Sequence, residues 1–402
     1  MIVKKFVEDM RKSLIDTENI NNYDEIYNYI SKKAIRYEPF KGLSLDEINT
    51  IVIRAIDSIK SDVSVLKKYI DDDTISEIMV NGFDKIFIEQ NGKIIETGDT
   101  FFDTEELEEV IRRISGKVHR EVNELNPIVD ARLEDGSRVN AVYKNIALGG
   151  PVLTIRKFPQ KNISMETLVC LGSITREASE FIKRLMDAEY NFFISGGTSS
   201  GKTTFLNAMA GLIQADERVI VIEDSAELQI TNLKNLVHME CKNANTSGNG
   251  EISMDQLIKT SLRMRPDRIL IGEIRDGKAL LNMLNGLNTG HSGICTGHGN
   301  SVKGMIKRME ALYMQESNFP IETIDSQIAE GIDIIVHLSR RQDFSRKVME
   351  ISELYIDNKG RINTNILFEY RGDKLVKTDN KLINTEKEEI KYGKNIDQGG
   401  TT

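Results

Sequence analysis

The spacing of apolar positions changes along this chain, and each change marks a change of architecture. Over residues 1–62 the spacing is helical. Ile48, Ile51, Val52, Ala55, Ile56 and Ile59 recur on one face behind Ser44-Leu45-Asp46-Glu47, which reads as a capping box. Tyr37-Glu38-Pro39 divides the segment, because the residue before a proline is pushed out of the helical region. Nothing in this helical N-terminal extension carries chemistry. Over 63–160 the period shortens to that of strands. Runs at 75–80 and 85–90 alternate, and Asn91-Gly92 turns the second into 93–95. A helix follows, opened by Asp103 and Glu106, faced by Leu107, Val110, Ile111 and Ile114, and stopped by Gly116. Strands at 128–133, 137–143 and 151–158 complete an α+β domain with a mainly antiparallel sheet.

Residues 161–174 read as a linker that carries a short helix at 164–170, and a longer helix at 175–188 leads into the next strand. From 175 to 378 short Ile- and Val-rich runs at 191–195, 218–223, 268–273, 293–298 and 333–338 alternate with helical stretches at 253–264, 277–287 and 302–313. This is the α/β pattern of a parallel sheet covered by helices. Two more strand-like runs, 348–356 and 362–370, close the domain. Residues 379–402 are polar and read as a disordered tail.

One stretch brings chemistry into this frame. Gly196-Gly197-Thr198-Ser199-Ser200-Gly201-Lys202-Thr203-Thr204 contains G-x-x-x-x-G-K-T, behind an apolar strand and ahead of a helical pattern. In that context the loop N–H groups and the helix N-terminus cradle phosphates, Lys202 adds a point charge and the Thr203 hydroxyl ligates Mg²⁺. ATP and Mg²⁺ are the expected ligands. Ligands of parallel sheets bind at the carboxyl ends of the strands. Those ends carry Glu223 and Asp224, then Glu273, then His298. Glu273 is the candidate to orient or deprotonate the attacking water. Glu223 is the candidate to hold a Mg²⁺-bound water, and His298 to sense the γ-phosphate. His119, His238 and His337 have no such argument, and His291 is undecided. Arg263, Arg265, Arg268 and Arg275 suit either phosphate contacts or a subunit interface. Arg138 and Arg156, on strands of the α+β domain, read from position alone as surface or salt-bridged residues.

Composition narrows the classes. The 402 residues suffice for two or three domains, with 29% charged and 40% hydrophobic residues, and the net charge is −9. That charge, with no basic aromatic-laced stretch, argues against nucleic acid as a partner and so against a nucleic-acid translocase. Cys170, Cys241 and Cys295 lack metal-ligand spacing and fit reduced thiols of a cytoplasmic protein. No signal peptide and no spanning apolar run are expected, so work at a membrane implies recruitment by a partner.

Together these motifs resemble the type II/IV secretion-system ATPase family, and within it the branch that drives Tad/Flp pilus assembly (CpaF-like). The resemblance runs from Asp71 to about Leu354. It rests on Thr74-Ile75-Ser76-Glu77-Ile78-Met79-Val80-Asn81-Gly82, Asn126-Pro127-Ile128-Val129-Asp130-Ala131-Arg132, Ile155-Arg156-Lys157-Phe158 and the phosphate loop. It also rests on the acidic box at Glu223-Asp224, on Met264-Arg265-Pro266-Asp267-Arg268 through Glu273, and on the histidine box from His291 to His298. It implies a RecA-like ATPase domain hinged to an N-terminal sensing domain in a homohexameric ring, with a platform protein of the cytoplasmic membrane as partner. It also implies phosphate-reaching roles for Arg138 and Arg156. A conjugation or type IV secretion ATPase is the neighbouring alternative. Two positions depart from the family pattern. Ser199 stands where many members carry glycine, which is free of strain only if the residue is not left-handed. Glycines on both sides of His298 predict a looser backbone there.

Overall fold

In the computed structural model, residues 2–15, 22–117, 121–133, 135–158, 163–242 and 250–393 are described. His119 and residues 159–162, the last two of which open the expected linker, lie outside them. The chain divides into two compact units, Met1–Gln160 and Lys161–Thr402.

In the first unit, α1 (Ile2–Ile15), α2 (Tyr23–Ile35) and α3 (Leu45–Lys60) close around Phe6, Met10, Ile30, Phe40, Val52 and Ile56. The capping box of α3 forms as the sequence predicts: Glu47 N–H donates to Ser44 Oγ at 3.2 Å, and Ser44 N–H to Glu47 Oε2 at 2.8 Å. The short α4 (Lys67–Ile70) leads to the sheet. Its strands are β1 (Ile75–Asn81), β2 (Ile86–Gln90), β3 (Lys93–Glu96), β4 (Ile128–Arg132), β5 (Arg138–Val142) and β6 (Val152–Arg156). Their order is β3-β2-β1-β6-β5-β4, every pair antiparallel. The helix α5 (Thr104–Lys117) lays Leu107, Val110, Ile111 and Ile114 into the same core as Ile78, Val80, Leu153 and Ile155. It runs through Gly116 rather than stopping there, because that glycine is not left-handed. The extension is tied to α5 by buried Glu106, whose Oε1 accepts from Ser58 at 3.0 Å and Ser64 at 2.6 Å. The described part of residues 1–62 is therefore packed into this unit.

The second unit begins with α6 (Met165–Cys170) and α7 (Arg176–Asp187). The helices expected at 164–170 and 175–188 are α6 and α7, and Met165, Leu168 and Ile174 are buried in the unit's core. Then follow β7 (Phe192–Gly196), α8 (Lys202–Ala210), β8 (Arg218–Glu223), β9 (Asn235–Glu240), α9 (Met254–Ser261), β10 (Arg268–Ile271), α10 (Gly277–Leu287), β11 (Ser292–His298), α11 (Val302–Glu316), α12 (Ile321–Gly331) and β12 (Ile334–Arg340). The unit ends with β13 (Arg346–Ile356), β14 (Ile362–Arg371), β15 (Lys374–Lys377) and α13 (Glu386–Tyr392). Among the described residues the sheet order is β15-β14-β13-β12-β7-β11-β10-β8-β9. The stretch from β12 to β9 is parallel, and β13 to β15 extend it antiparallel. Successive residues of β7 and β8 feed opposite cores. Phe192, Ile194, Val219 and Val221 lie in one, and Phe193, Ile220 and Ile222 in the other. Such two-sided burial is why these strands read as continuous apolar runs.

β9 and α12 were not anticipated. β9 is a half-buried edge strand whose Leu236, Val237 and Met239 pack against the cores without the continuous apolar run of the inner strands. The polar segment 379–393 also differs from expectation. It is held to the unit by Glu353, 1% exposed, whose carboxylate accepts from Ile383 N–H at 2.8 Å and Asn384 N–H at 2.7 Å. Tyr190 Oη donates to Asn384 O at 2.6 Å, and Lys387 pairs with Asp333 at 2.6 Å. These contacts are polar, so hydrophobic periodicity cannot show them. Residues 394–402 of the expected tail lie outside the described residues. Replacing Glu353 by Ala strands two backbone donors and should cost about 3 kcal/mol in denaturant unfolding. Hydrogen exchange over 380–393 should rise first; unchanged protection there would show that the segment is anchored elsewhere.

Candidate active site

The phosphate loop leaves the end of β7, flanked by two parallel strands that bring His298 and Leu338 level with Gly196. A Cβ on Gly196 would sit 2.7 Å from Leu338 O, so only glycine fits between the strands. The loop then takes two left-handed residues, Ser199 at φ 58° and Gly201 at φ 93°. Glycine adopts this freely, but a side chain pays about 1–2 kcal/mol. Ser199 thus occupies the strained conformation that the sequence reading needed it to avoid. Gly201 is the N-cap of α8 and has no capping side chain, so the first turn keeps its N–H groups for the loop. With Lys202 and Thr203 opening the helix, the donor set fits a triphosphate with its Mg²⁺. The loop offers N–H groups and an ammonium to phosphate oxygens, and a hydroxyl to a hard cation.

Lys202 is only 8% exposed. Its ammonium donates to Gly196 O at 3.1 Å and Gly197 O at 3.0 Å, and meets His298 Nδ1 at 3.3 Å. An ammonium has no acceptor, so Nδ1 must accept and the imidazole proton sits on Nε2. That Nε2 lies 2.8 Å from Glu273 Oε1. The other oxygen, Oε2, accepts from Arg275 Nε at 3.0 Å and Nη2 at 2.8 Å, while Arg275 Nη1 reaches Asp224 Oδ2 at 2.8 Å. Lys202, His298, Glu273, Arg275 and Asp224 therefore form one chain of contacts across the ends of β7, β11, β10 and β8. Burial, and then the Lys202 charge, push the His298 pKa below its ordinary value, against the pull of Glu273. The neutral imidazole this favours is the form the tautomer argument requires.

The glycines beside His298 do not loosen it. A Cβ on Gly297 would lie 2.8 Å from the Phe193 ring, and one on Gly299 2.7 Å from Ser195 Oγ. Both are glycine because the strand is packed too closely for anything larger, and this fixes the histidine.

Glu223 ends β8, with its side chain almost fully buried. Its carboxylate accepts from Glu227 N–H at 2.9 Å and Leu228 N–H at 3.2 Å. It also pairs with His238 Nε2 at 2.5 Å. A Cβ on Gly272 would press on Glu223 Cγ at 2.9 Å, so that glycine makes room for it. His238, from the edge strand β9, is the residue the sequence reading missed. The signal was there only in register: β9 pairs with β8 in parallel, setting Met239 opposite Ile222 and Glu240 opposite Glu223.

Other candidates resolve differently. Arg268 is buried at 2% exposure, bonded to Glu217 at 3.0 Å and to Met186 O at 3.1 Å, and holds β10 in place. His291 Nδ1 lies 3.1 Å from Gly286 O, at the end of α10. Arg138 and Arg156 belong to the first unit. They face each other directly across the β5–β6 ladder, and Arg132 lies opposite Arg138 on β4. Glu77 on β1 faces Arg156 from its other side.

A family model described as "Type II/IV secretion system protein" matches residues 60–384. An uncharacterized protein of Methanocaldococcus jannaschii is 34% identical over 290 residues, which cover 70% of this chain and 39% of that protein. The chain thus spans well under half of that relative. Conjugal transfer protein TrbB of Rhizobium radiobacter is 32% identical over 70% of this chain and 84% of its own length. Among solved structures, the Legionella pneumophila ATPase DotB superposes with a TM-score of 0.55 at 21% identity, over 74% of this chain and 81% of that one. The pilus retraction motor PilT with bound ADP gives 0.52 at 19%, over 82% and 85%. These two likenesses bear out the expected α/β, RecA-like fold with a preceding domain.

His337 stands beside the loop, its Nδ1 3.3 Å from Ser195 Oγ, and burial followed by the Lys202 charge lowers its pKa as well. The unfolded chain therefore takes up protons near the ordinary imidazole value of 6.5 while the folded chain resists. Stability from this source is present above that pH and declines as pH falls below it. A His337→Asn variant should show a flatter melting temperature against pH below 6.5. A slope equal to that of the unaltered chain would remove His337 from this account.

Proposed function

The chain belongs to the type II/IV secretion system protein family, and on that premise we propose that it is a Mg²⁺-dependent ATP hydrolase that drives such a machine. The observation that carries this reading is the chain of contacts from the phosphate-loop lysine through His298 to Glu273. Mg²⁺ would be held by Thr203 and, through water, by Glu223, and would offset charge on the phosphates. Glu273 orients the attacking water and takes its proton. Its Oε2 is taken by Arg275 Nε and Nη2, while Oε1, 2.8 Å from His298 Nε2, has no hydrogen-bond partner among the described residues, so an attacking water can donate there. His298, neutral and with its proton on Nε2, reports whether Lys202 has turned from the loop carbonyls to a phosphate. His238 holds the Glu223 carboxylate in place. Arg138 and Arg156 supply guanidinium groups to phosphate oxygens, a reading supported by their side-by-side placement on β5 and β6.

At the level of the whole machine, we propose a homohexameric ring in the cytoplasm, recruited by a platform protein of the membrane. Among the described residues no helix is long and apolar enough to cross a membrane. The motifs resemble the Tad/Flp pilus-assembly branch. Conjugal transfer is the second reading, favoured by the name of the relative TrbB. Deleting the gene and scoring surface pili against DNA transfer to a recipient separates the two.

Lys202→Ala should lose binding of a fluorescent ATP analogue, and normal turnover by that variant would end the phosphate-loop reading. Glu273→Gln should bind the analogue and hydrolyse ATP at least about 10²-fold more slowly, the scale of general-base loss. Full activity there would dismiss Glu273 as the base. Arg156→Ala should lower kcat by about 10²-fold or more with an unchanged melting temperature. Unaltered kcat would return that residue to a purely surface role.

A further inference from the structure

The hairpin between β12 and β13 returns to the sheet beside the phosphate loop, because β12 runs parallel to β7 with Leu338 level with Gly196. Its returning strand begins at Arg346, opposite Arg340. Nothing in the sequence marks this arginine among the basic residues around it. In the structure Arg346 Nε donates to Ser199 O at 3.0 Å. Its stem lies over Gly201, where an added Cβ would come within 3.1 Å of Arg346 Cδ and 3.7 Å of its Cβ. The side chain therefore touches both left-handed residues of the loop, Ser199 at φ 58° and Gly201 at φ 93°.

The backbone that carries Arg346 is itself anchored. Lys347 Nζ donates to Gly172 O at 2.6 Å, and Val348 N–H to Ser173 O at 2.8 Å. On the other side, Arg341 N–H donates to Ser345 O at 2.8 Å, and Ser345 Oγ to Asp343 Oδ1 at 2.7 Å, closing the turn. Arg346 thus projects from a fixed point onto a loop whose conformation is strained at a serine.

We propose that Arg346 is a positioning residue for nucleotide binding. It pins the left-handed Ser199–Gly201 turn from outside, so that the loop N–H groups are already arranged for a triphosphate. This inference rests on the phosphate-loop reading above and adds to it a reason why serine is tolerated at 199. A left-handed serine costs free energy, and a charge-assisted bond to its own carbonyl offsets that cost. The loop is then pre-arranged by the β12–β13 hairpin rather than by its own sequence.

The test is a double-mutant cycle on the full chain, with a fluorescent ATP analogue as probe and Lys202→Ala as the reference for lost binding. Arg346→Ala should bind about tenfold more weakly, the scale of one lost charge-assisted bond. It should raise KM with little change in kcat, and leave the melting temperature and far-UV circular dichroism as in the unaltered chain. Arg346→Lys, which keeps charge and stem without the Nε donor, should fall between. In a Ser199→Gly background, where the turn costs nothing, the loss from Arg346→Ala should shrink to about threefold or less. Equal binding by Arg346→Ala and the unaltered chain, while Lys202→Ala fails to bind, would overturn this role alone. So would an equal loss with serine or glycine at 199. If the unaltered chain binds no analogue, or Lys202→Ala binds it as well, the phosphate-loop reading fails and this inference with it.

Discussion

A buried ammonium sets the conditions for the second unit. Lys202 is almost out of solvent, and a charge in that position is tolerable only if acceptors surround it. Two come from its own loop, the carbonyls of Gly196 and Gly197, and the third is the imidazole of His298 from another strand. Each acceptor needs a close approach of backbones. Gly196 lies against Leu338, Gly297 against Phe193 and Gly299 against Ser195, and at each position a single carbon more would collide. The glycines of this region serve the packing of strands around one charge.

From that charge the polarity of the site follows. Because the ammonium must donate, His298 must accept on Nδ1, which leaves its proton on Nε2, in 2.8 Å contact with Glu273 Oε1 though not aligned as a hydrogen bond. Glu273 is in turn held by Arg275, which reaches Asp224 and so ties the end of β10 to that of β8. A displacement of Lys202 toward a phosphate would be felt at the carboxylate two contacts away. The site is thus a single chain of close polar contacts spanning parallel strands.

The first unit shows a different economy of charge. Its core is apolar and ordinary, yet its sheet sets Arg132, Arg138 and Arg156 in one row across three strands. The row continues to Glu77 on β1, opposite Arg156, whose carboxylate offsets part of that charge. Within that unit Glu106 on α5 joins the helical extension to the helix that packs on the sheet.

Strand and helix identity, the phosphate loop and the acidic strand ends were legible in sequence, because each is local. Two-sided burial writes Val219 to Ile222 as an apolar run, and the loop's chemistry lies within eight consecutive residues. Glu223, Glu273 and His298 could be named because a parallel sheet gathers its carboxyl ends at one edge. What escaped depends on partners distant in sequence. His238 had no signal because its edge strand is half-buried without a continuous apolar run, and only pairing with β8 brings it to Glu223. The segment 379–393 is polar and is held by Glu353 through backbone donors, which no periodicity records. Arg346 looked like any surface arginine until the hairpin set it on Ser199. The glycines at 297 and 299 were misread as freedom, since a sequence shows a missing side chain but not what fills its place. Local propensity and pattern determined the elements of this protein and the types of its reactive groups. The tertiary structure alone decided which charges meet, because that depends on register and close packing between strands far apart in the chain.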